Sequence, residues 1–403
     1  MRLFVFLFLI STTLSALGQS QMSSSEIGYI YDLEHEFLID HRVAANGNDH
    51  KVFIKFTLNS GNVKVSDYMI TYDLRDGYIS ERTPNSEVRL DSSNVLYTGF
   101  REFVYSFDID NAGGKDLVVL DIYNIPKNRR FKYDISLVQD DKRPTSFLIY
   151  DAELDIPYFN KYVNAGDPIR IKDVFTDQGS FEITGFQNNA PIPMPPFDDT
   201  ERPEPEAVNL DTLYGAQNNE VFSLYNEGYY KINASNNREE SLNFLVSNEF
   251  YPYFGNYNDL IRPLIFLSTN SEYEAMTAAL DTREGFEEFV QNTISGNERV
   301  AKDFIKYYYR RIRKAGRLFT EDREGWKTDK GMVYLIFGDP LQVFRNEQTE
   351  LWVYSSGSGG RLRFVFDIVD ENGLVKYKLL RGKRFKEDWM TAVTQWRAGR
   401  IIE

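Results

Sequence analysis

Apolar residues occupy every second position in many short segments of the first 140 residues. The alternation is clearest over 51–58 and 103–109, and the pairs Asn46-Gly47 and Gly113-Gly114 mark turns between such segments. Alternation with a period of two is typical of strands that bury one face. Many short strands with regular turns predict a β-sandwich with an immunoglobulin-like layout over residues 27–140.

A second β-rich segment covers residues 146–255. Short apolar or alternating runs lie at 147–150, 169–172 and 180–184, and they predict a second β-sandwich. A proline-rich acidic stretch at residues 189–206 interrupts the pattern. Because proline has no N–H group to donate to a sheet, this stretch predicts a long loop or spacer.

The apolar period becomes helical after residue 270. An amphipathic helix is predicted where apolar residues recur three or four positions apart, at Ala301, Ile305, Tyr308, Ile312, Ala315 and Phe319. Residues 332–337 are apolar throughout and predict a central buried strand. The alternation over 351–354 and 362–368 predicts further strands. Residues 260–400 are therefore predicted to form an α+β domain with amphipathic helices and a small antiparallel sheet.

The predicted helix that ends at Phe319 carries a basic face opposite its apolar stripe. Five of its cations form a candidate contact region: Arg310, Arg311, Arg313, Lys314 and Arg317. Such a face suits an acidic partner, anionic headgroups or the acidic modules of the same chain. Cations near a helix C-terminus are also favoured by the helix dipole, so an ordinary solvated face is the competing interpretation.

Composition narrows the available chemistry. The 403 residues include no cysteine and only three histidines, which excludes thiol catalysis, disulfides and cysteine-ligated metals. The net charge of −14 is uneven, because residues 1–260 hold 22 Lys and Arg against 39 Asp and Glu, whereas residues 261–403 hold 24 against 21. Since an acidic surface repels nucleic acid, no nucleic-acid partner is expected.

The first 18 residues have the layout of a secretory signal peptide. Arg2 precedes an apolar run over 3–10, and Ala16-Leu17-Gly18 forms a small-x-small cleavage site. The apolar run is shorter than the ~20 residues that span a bilayer, and the chain has no cysteine that could carry a lipid. We therefore expect an exported, periplasmic protein, at most peripheral to the outer membrane, whose membrane association is indirect.

One short motif is specific enough to indicate a family. Gly325-Trp326-x-Thr328-Asp329 follows the basic helix, and it resembles the signature of the GWxTD domain, which occurs in secreted and cell-envelope proteins of Bacteroidetes. The resemblance covers roughly residues 255–385 and includes five further positions: Gly331, Gly338, Pro340, Trp352 and Tyr354. It implies an envelope protein without a particular biochemical activity, because none is established for the family.

The residue types of the motif themselves indicate a structural role. A left-handed Gly325 would end the helix, and Trp326 would cover the junction between helix and sheet. Thr328 and Asp329 would bond backbone amides in a turn that Gly331 completes. We therefore expect these residues to stabilise the fold rather than to act on a substrate.

These observations favour a non-catalytic assembly, scaffold or interaction protein with a protein partner in the cell envelope. The alternative is an exported protein that binds or cleaves glycans, which the aromatic and acidic content would suit. Asp329 with Asp339 or Glu321 would then form an acid–base pair, although turn bonding already accounts for Asp329. No catalytic residue, metal or cofactor is expected, and the oligomeric state stays open.

Overall fold

A computed structural model describes most of the chain. The described ranges are 25–33, 35–59, 64–77, 80, 87–138, 144–189, 191–200, 208–357, 359–371 and 374–400. The predicted signal peptide, residues 1–18, lies outside them. Within these ranges the strands form five largely antiparallel sheets, and the α-helices follow residue 256. The β-rich multidomain fold class is therefore confirmed.

The first described segment belongs structurally to the end of the chain. Strand β1 (Ser25–Glu26) pairs with a strand that contains Phe344 and Arg345, and a 3₁₀ turn at Gly28–Tyr31 follows it. The Ile27 N–H donates to the carbonyl oxygen of Val343 at 2.9 Å. Ile27 and Tyr31 are buried in the core of the C-terminal module, so this segment ties the beginning of the chain to its end.

Residues 37–138 form two four-stranded antiparallel sheets that pack face to face. Their strands are β2 (Phe37–Asn46), β3 (Asp49–Leu58), β4 (Tyr68–Arg75), β5 (Val88–Leu90), β6 (Val95–Thr98), β7 (Glu102–Ile109), β8 (Leu117–Asn124) and β9 (Arg129–Ser136), with 3₁₀ turns at Val65–Asp67 and Ser92–Asn94. The sheet orders are β2-β3-β7-β6 and β5-β4-β8-β9. Phe56 and Phe103 from one sheet share a core with Ile70 and Leu120 from the other, which makes this module a two-layered β-sandwich.

The second module has the same two-layered plan. Its strands are β10 (Phe147–Asp151), β11 (Tyr162–Asn164), β12 (Ile169–Asp173), β13 (Ser180–Phe186), β14 (Asn209–Gln217), β15 (Val221–Phe222), β16 (Gly228–Ala234) and β17 (Asn237–Ser247). The sheet orders are β10-β12-β15 and β11-β17-β16-β13-β14. Phe147 and Ile171 from the first sheet pack with Phe181 and Tyr230 from the second.

The C-terminal module combines helices with one antiparallel sheet. Its helices are α1 (Tyr257–Ile261), α2 (Asn270–Ala278), α3 (Thr282–Phe289), α4 (Glu298–Phe319), α5 (Asp329–Phe337) and α6 (Lys386–Arg397), with a π-helical turn at Val290–Ile294 and 3₁₀ turns at Arg262–Phe266, Gly325–Lys327 and Lys383–Phe385. Its remaining strands are β18 (Gln342–Arg345), β19 (Thr349–Ser355), β20 (Arg361–Glu371) and β21 (Leu374–Leu379). The sheet order is β1-β18-β19-β20-β21. The predicted helix–sheet composition of this region is therefore present.

Residues 332–337 are helical, so the strand predicted there is wrong. They belong to α5, where every side chain from Met332 to Ile336 is buried. A short run that is apolar on all sides fits a buried strand and a buried helix equally well. The Thr328 hydroxyl favours the helix, because it accepts the Gly331 N–H at 3.0 Å as an N-cap.

The amphipathic helix predicted before the motif is confirmed as α4. Its N-cap is Asn297, whose side-chain oxygen accepts the N–H groups of Arg299 and Val300. Tyr308, Ile312, Ala315 and Phe319 of the predicted stripe are buried, whereas Ala301 and Ile305 are half-buried at its edge. The period of the apolar residues was sufficient to place this helix and its buried face.

The proline-rich loop crosses to the C-terminal module. It leaves β13 and returns to the adjacent strand β14, and residues 189 and 191–200 of it are described. We call residues 191–197 the strap. Ile192 and Phe197 of the strap pack against the C-terminal core. The stretch is a loop, as predicted, but its described part packs against another module instead of acting as a free spacer.

Among the helices of the described ranges, none combines the length with the apolar character that crossing a bilayer requires.

Shortening the Ile27 side chain is expected to destabilise the C-terminal module. Ile27 is only 1% exposed, so Ile27→Ala leaves a cavity and lowers the free energy of unfolding by about 2–4 kcal/mol. All four tryptophans, Trp326, Trp352, Trp389 and Trp396, lie in this module. Urea unfolding followed by tryptophan fluorescence therefore measures the effect directly. Leu96→Ala, at an exposed position of the first sandwich, is the control. Equal unfolding midpoints for both variants would contradict the burial of Ile27 in the C-terminal core.

Candidate functional site

The two glycines of the motif allow helices to approach backbone to backbone. Gly325 is not among the residues with positive φ, so the left-handed helix end predicted for it is wrong. A Cβ atom at Gly325 would overlap the carbonyl oxygen of Ala315 on α4, and one at Gly331 would overlap the carbonyl oxygen of Gly325. Gly331 lies inside α5 rather than in the predicted turn. Both positions need glycine because no side-chain atom fits there.

The other residues of the Gly-Trp-x-Thr segment bond to their immediate surroundings. Trp326 is 4% exposed, and its indole N–H donates to Glu324 at 2.7 Å. The Thr328 hydroxyl donates to the Gly325 carbonyl oxygen at 2.8 Å while it caps α5. The Gly325 N–H donates to the buried hydroxyl of Tyr251 at 2.8 Å, which connects the motif to the segment that follows the second sandwich.

Asp329 holds the edge strand of the C-terminal sheet instead of closing a turn. Its carboxylate accepts the Leu379 N–H of β21 at 2.8 Å and forms a two-pronged ion pair with Arg381, in which Nη1 lies 3.0 Å away. Glu321 accepts the N–H of Tyr377, two residues earlier on the same strand, at 3.3 Å. Both side chains therefore satisfy outward N–H groups of an edge that would otherwise be free to pair with another strand.

The remaining motif positions also have internal partners. Gly338 ends α5 with φ of +82°, which glycine tolerates without strain, and its carbonyl oxygen accepts the Tyr354 hydroxyl at 2.9 Å. Trp352 is fully buried, and Pro340 is half-buried before β18. Asp339 accepts the Tyr334 hydroxyl at 2.6 Å. Asp329 is therefore paired with a cation, whereas the exposed Asp339 accepts a tyrosine hydroxyl.

A fully buried carboxylate lies next to the motif. Glu350 on β19 is 0% exposed and accepts five donors. They are the Tyr31 hydroxyl at 2.7 Å, the Trp352 indole N–H at 2.6 Å, the Lys330 ammonium at 2.9 Å and two guanidinium nitrogens of Arg345 at 2.8 and 2.7 Å. We call these five residues the Glu350 cluster. It joins the first described segment, α5 and the sheet at one point.

The charges of this cluster keep Glu350 ionised. Burial alone would raise its pKa, but Lys330, Arg345 and the Tyr31 hydroxyl lower it to about 2. Burial lowers the pKa of Lys330 to about 7, and the attraction of Glu350 opposes that effect. The Lys330 ammonium also lies 3.0 Å from the centre of the Tyr377 ring. The Glu350 carboxylate is thus enclosed by two cations, Lys330 and Arg345, and by the aromatic side chains of Tyr31 and Trp352.

A cleft of about 1800 Å³ opens beside the cluster, between the three modules. Residues from each module line it, among them His41, Arg42 and Tyr133 of the first, Phe159 and Lys161 of the second, and Arg317, Glu321, Lys330, Arg345 and Tyr377 of the third. Arg42 joins the first two modules, because its guanidinium donates to the carbonyl oxygens of Tyr158, Phe159 and Asn160 at 3.1, 2.8 and 2.8 Å. Desolvation lowers the pKa of His41 to about 3, so this wall carries a neutral imidazole.

Glu321 is the most perturbed carboxyl group of the cleft. Burial, reinforced by the neighbouring Asp322, raises its pKa to about 8, although Lys161, Lys330 and Arg323 oppose the shift. The carboxyl group is therefore largely protonated at neutral pH. Apart from the Tyr377 N–H, no hydrogen bond to this side chain is present among the described residues.

The predicted cations of α4 point in different directions. Arg311 is buried, donates to the carbonyl oxygens of Leu335 and Ile336 at 3.0 and 3.1 Å, and stacks on a tryptophan ring. Its assignment to an exposed face is therefore wrong, because the helix turns this position toward α5. Lys314 lies 3.8 Å from Asp339.

Arg317 crosses to the first module, where it pairs with Asp40 at 3.3 Å. This contact matches the interpretation in which the basic helix meets the acidic modules of its own chain. Arg310 is exposed and Arg313 half-exposed. Within the described part of the chain neither guanidinium has a carboxylate at ion-pair distance.

Of the Glu350 cluster, only Trp352 was predicted from the sequence as a site residue, although a signal for Glu350 was present. Glu350, Trp352 and Tyr354 alternate along β19 and therefore share a face. A carboxylate on the same face as two large aromatic residues predicts a buried charge, which needs a cation. One such cation, Arg345, is the cross-strand neighbour of Glu350 on β18, whereas Lys330 on α5 is brought to it by the tertiary fold.

In the part of the chain that the structure describes, no group of three or more His, Asp or Glu side chains is arranged to hold a metal ion.

Comparison with known proteins identifies one domain. Residues 228–398 match the family model of the GWxTD domain. The match begins at β16, so it includes the last two strands of the second sandwich as well as the C-terminal module. The chain matches none of the curated proteins with which it was compared. The resemblance to the GWxTD domain that the motif indicated is thus confirmed for residues 228–398.

Replacing Glu321 by glutamine is expected to change how stability depends on pH. The folded-state pKa of about 8 exceeds the unfolded value of about 4.3, so the folded wild type binds an extra proton between these values. The stability contributed by this proton is complete below about pH 4.3 and is lost as pH rises through about 8. Glu321→Gln cannot ionise, so its stability relative to wild type should increase by about 1–4 kcal/mol from pH 5 to pH 8.

Urea unfolding at several pH values, followed by tryptophan fluorescence, measures this difference. Glu387→Gln, an exposed carboxylate on α6, is the matched control. A Glu321→Gln profile parallel to that of the wild type would show that the folded state does not bind this proton.

Proposed function

We propose that this chain is an exported, non-catalytic interaction protein of the cell envelope of a member of the Bacteroidetes, where it holds a protein partner in an assembly. The GWxTD domain supplies the contact surface. Support comes first from the motif residues, whose side chains are used in internal packing and bonding. Gly325, Trp326, Thr328 and Asp329 all contact other parts of the chain.

The observation that carries the proposal is an aromatic and basic surface patch that α4 forms with Tyr253 from the segment before α1. We define the patch as Tyr253, Lys306, Tyr307, Arg310 and Arg313. The Arg310 guanidinium lies 4.8 Å from the centre of the Tyr307 ring, and that of Arg313 lies 5.9 Å from the centre of the Tyr253 ring. Tyr253 itself is 66% exposed. These cations are held by rings instead of by carboxylates.

This combination suits an acidic protein surface. Tyrosine and arginine are the residue types most enriched at the energetic centres of interfaces. A cation stacked on an exposed ring has lost part of its conformational freedom before binding, which lowers the entropic cost of ordering it in a complex. Because the partner of each guanidinium is a neutral ring, an incoming carboxylate displaces no internal ion pair.

Charge reversal of the patch tests the proposal. Arg310→Glu combined with Arg313→Glu should lower the yield of crosslinked partner from native envelopes by at least about tenfold, the effect of losing one interface centre worth about 1.4–2 kcal/mol. Arg361→Glu combined with Arg363→Glu makes the same charge change at exposed positions of β20. Equal yields from the two double variants would refute a role of the patch, provided that both melt like the wild type.

The cleft favours glycan binding as a second candidate function. Its wall presents Tyr133, Phe159 and Tyr377 beside charged groups, and such mixed surfaces suit sugar rings and hydroxyl groups. Asn160→Trp, at an exposed position of the cleft, should then abolish binding of envelope polysaccharides in a calorimetric titration, whereas the charge-reversed patch should leave it unchanged. Absence of heat for the wild type across a polysaccharide panel would eliminate this candidate.

A further inference from the structure

The strap lies in a groove of the C-terminal module that contacts its backbone. The Arg323 guanidinium donates to the Pro191 carbonyl oxygen at 3.3 Å, and that of Arg381 donates to the Met194 carbonyl oxygen at 3.2 Å. The Gly382 N–H donates to the carbonyl oxygen of Pro196 at 2.9 Å. All three acceptors are main-chain groups, so these bonds recognise the path of the chain and not its side chains.

The sequence of the strap determines that path. Residues 191–197 read Pro-Ile-Pro-Met-Pro-Pro-Phe, and proline fixes its own φ near −65° while it drives the preceding residue to an extended conformation. The first two bonded carbonyls, at positions 191 and 194, are three residues apart. Three residues per turn is the period of the extended proline-rich helix, in which the carbonyls are unpaired and available to a receptor.

Two aspartate–arginine pairs prepare the groove for these carbonyls. Asp322 receives the Nε and Nη2 groups of Arg323 at 2.7 and 2.9 Å, which leaves Nη1 for the strap. Asp329 pairs with the Nη1 and Nη2 groups of Arg381, and Nη2 also carries the N–H that reaches the strap. Each carboxylate fixes a planar guanidinium so that a further N–H points outward. The aspartate of the family motif therefore positions a strap-binding arginine.

Side-chain contacts of the strap are few and partial. Ile192 and Phe197 are half-buried against the core, Pro196 is buried, and the Lys386 ammonium lies 5.9 Å from the centre of the Phe197 ring. Grooves that bind exchangeable proline-rich peptides exploit the same preformed extended backbone. A tethered segment needs little intrinsic affinity, because a loop of this length supplies an effective concentration on the order of millimolar.

We propose that this groove, formed by Arg323, Arg381, Gly382 and Lys386, is a binding site for extended proline-rich protein segments, and that the strap occupies it until a proline-rich segment of a partner displaces it. The fitting segment has prolines around two apolar anchors five residues apart, like Ile192 and Phe197. The groove shares no residue with the patch on α4. It extends the proposed function by giving the domain a second contact of defined chemistry.

The test is a peptide titration with the full chain. A fluorescent peptide with the sequence of residues 187–200 is titrated with the wild type and with a short-loop variant, in which an Asn-Gly turn replaces residues 189–206. The turn is compatible with the fold because β13 and β14 are neighbouring antiparallel strands. The short-loop variant should bind the peptide at least about tenfold more tightly than the wild type, whose strap competes.

Arginine and proline substitutions check the mode of binding. In the short-loop background, Arg381→Ala should weaken binding at least about fivefold, whereas Arg361→Ala on β20 should not change it. A peptide with Pro191, Pro193 and Pro195 replaced by alanine should also bind more weakly, because it must first be ordered. The variant with Arg310→Glu and Arg313→Glu should bind the peptide like its parent, which separates this site from the patch.

A second variant covers the case in which the short-loop chain does not fold. Ile192→Asp combined with Phe197→Asp keeps the whole loop but removes its two anchors, and it should likewise bind the wild-type peptide more tightly than the unmodified chain does. If folded variants of both kinds bind no better than the wild type, the strap is only a structural brace and the proposal is wrong.

Discussion

The buried ionised carboxylate of Glu350 is the constraint on which the C-terminal module depends. A charge with no access to water is tolerated only when cations and hydrogen bonds replace the solvent, and here five donors from four residues do so. The donors come from the first described segment, α5 and the sheet. Loss of any one of these elements would remove part of the compensation of a buried charge, so the cluster favours assembly of all three.

The residues of the family motif stabilise the same assembly through contacts of their own. Gly325 and Gly331 bring α4, the 3₁₀ turn and α5 into backbone contact, which places Lys330 at Glu350. Asp329, one residue earlier, holds β21 and Arg381. Successive residues at the start of one helix thus connect a buried ion pair to an edge strand. These separate roles explain why the motif combines two small residues, a cap and a charge within seven positions.

Some features followed from the sequence because their physical causes are local. The helical period of the apolar residues located α4, and the alternation of apolar residues located β19 and β20. Other predictions were wrong because the local sequence pattern was ambiguous. The run from Met332 to Phe337 is apolar in every direction, so its period could not separate helix from strand. Arg311 was wrongly predicted to lie on the basic face. It follows the exposed Arg310 directly in the sequence, but α4 turns it toward the core.

The sequence by itself determined the β-rich composition, the amphipathic helix, the extended path of the strap and the presence of the GWxTD motif. Each of these depends on neighbours within a few residues, through dihedral limits, capping or side-chain period. Only the tertiary structure decided which charges are buried and what they contact. Tyr31 and Glu350 are 319 residues apart in the chain but 2.7 Å apart in space. No local rule relates such positions, because desolvation and ion pairing depend on what the whole fold brings together.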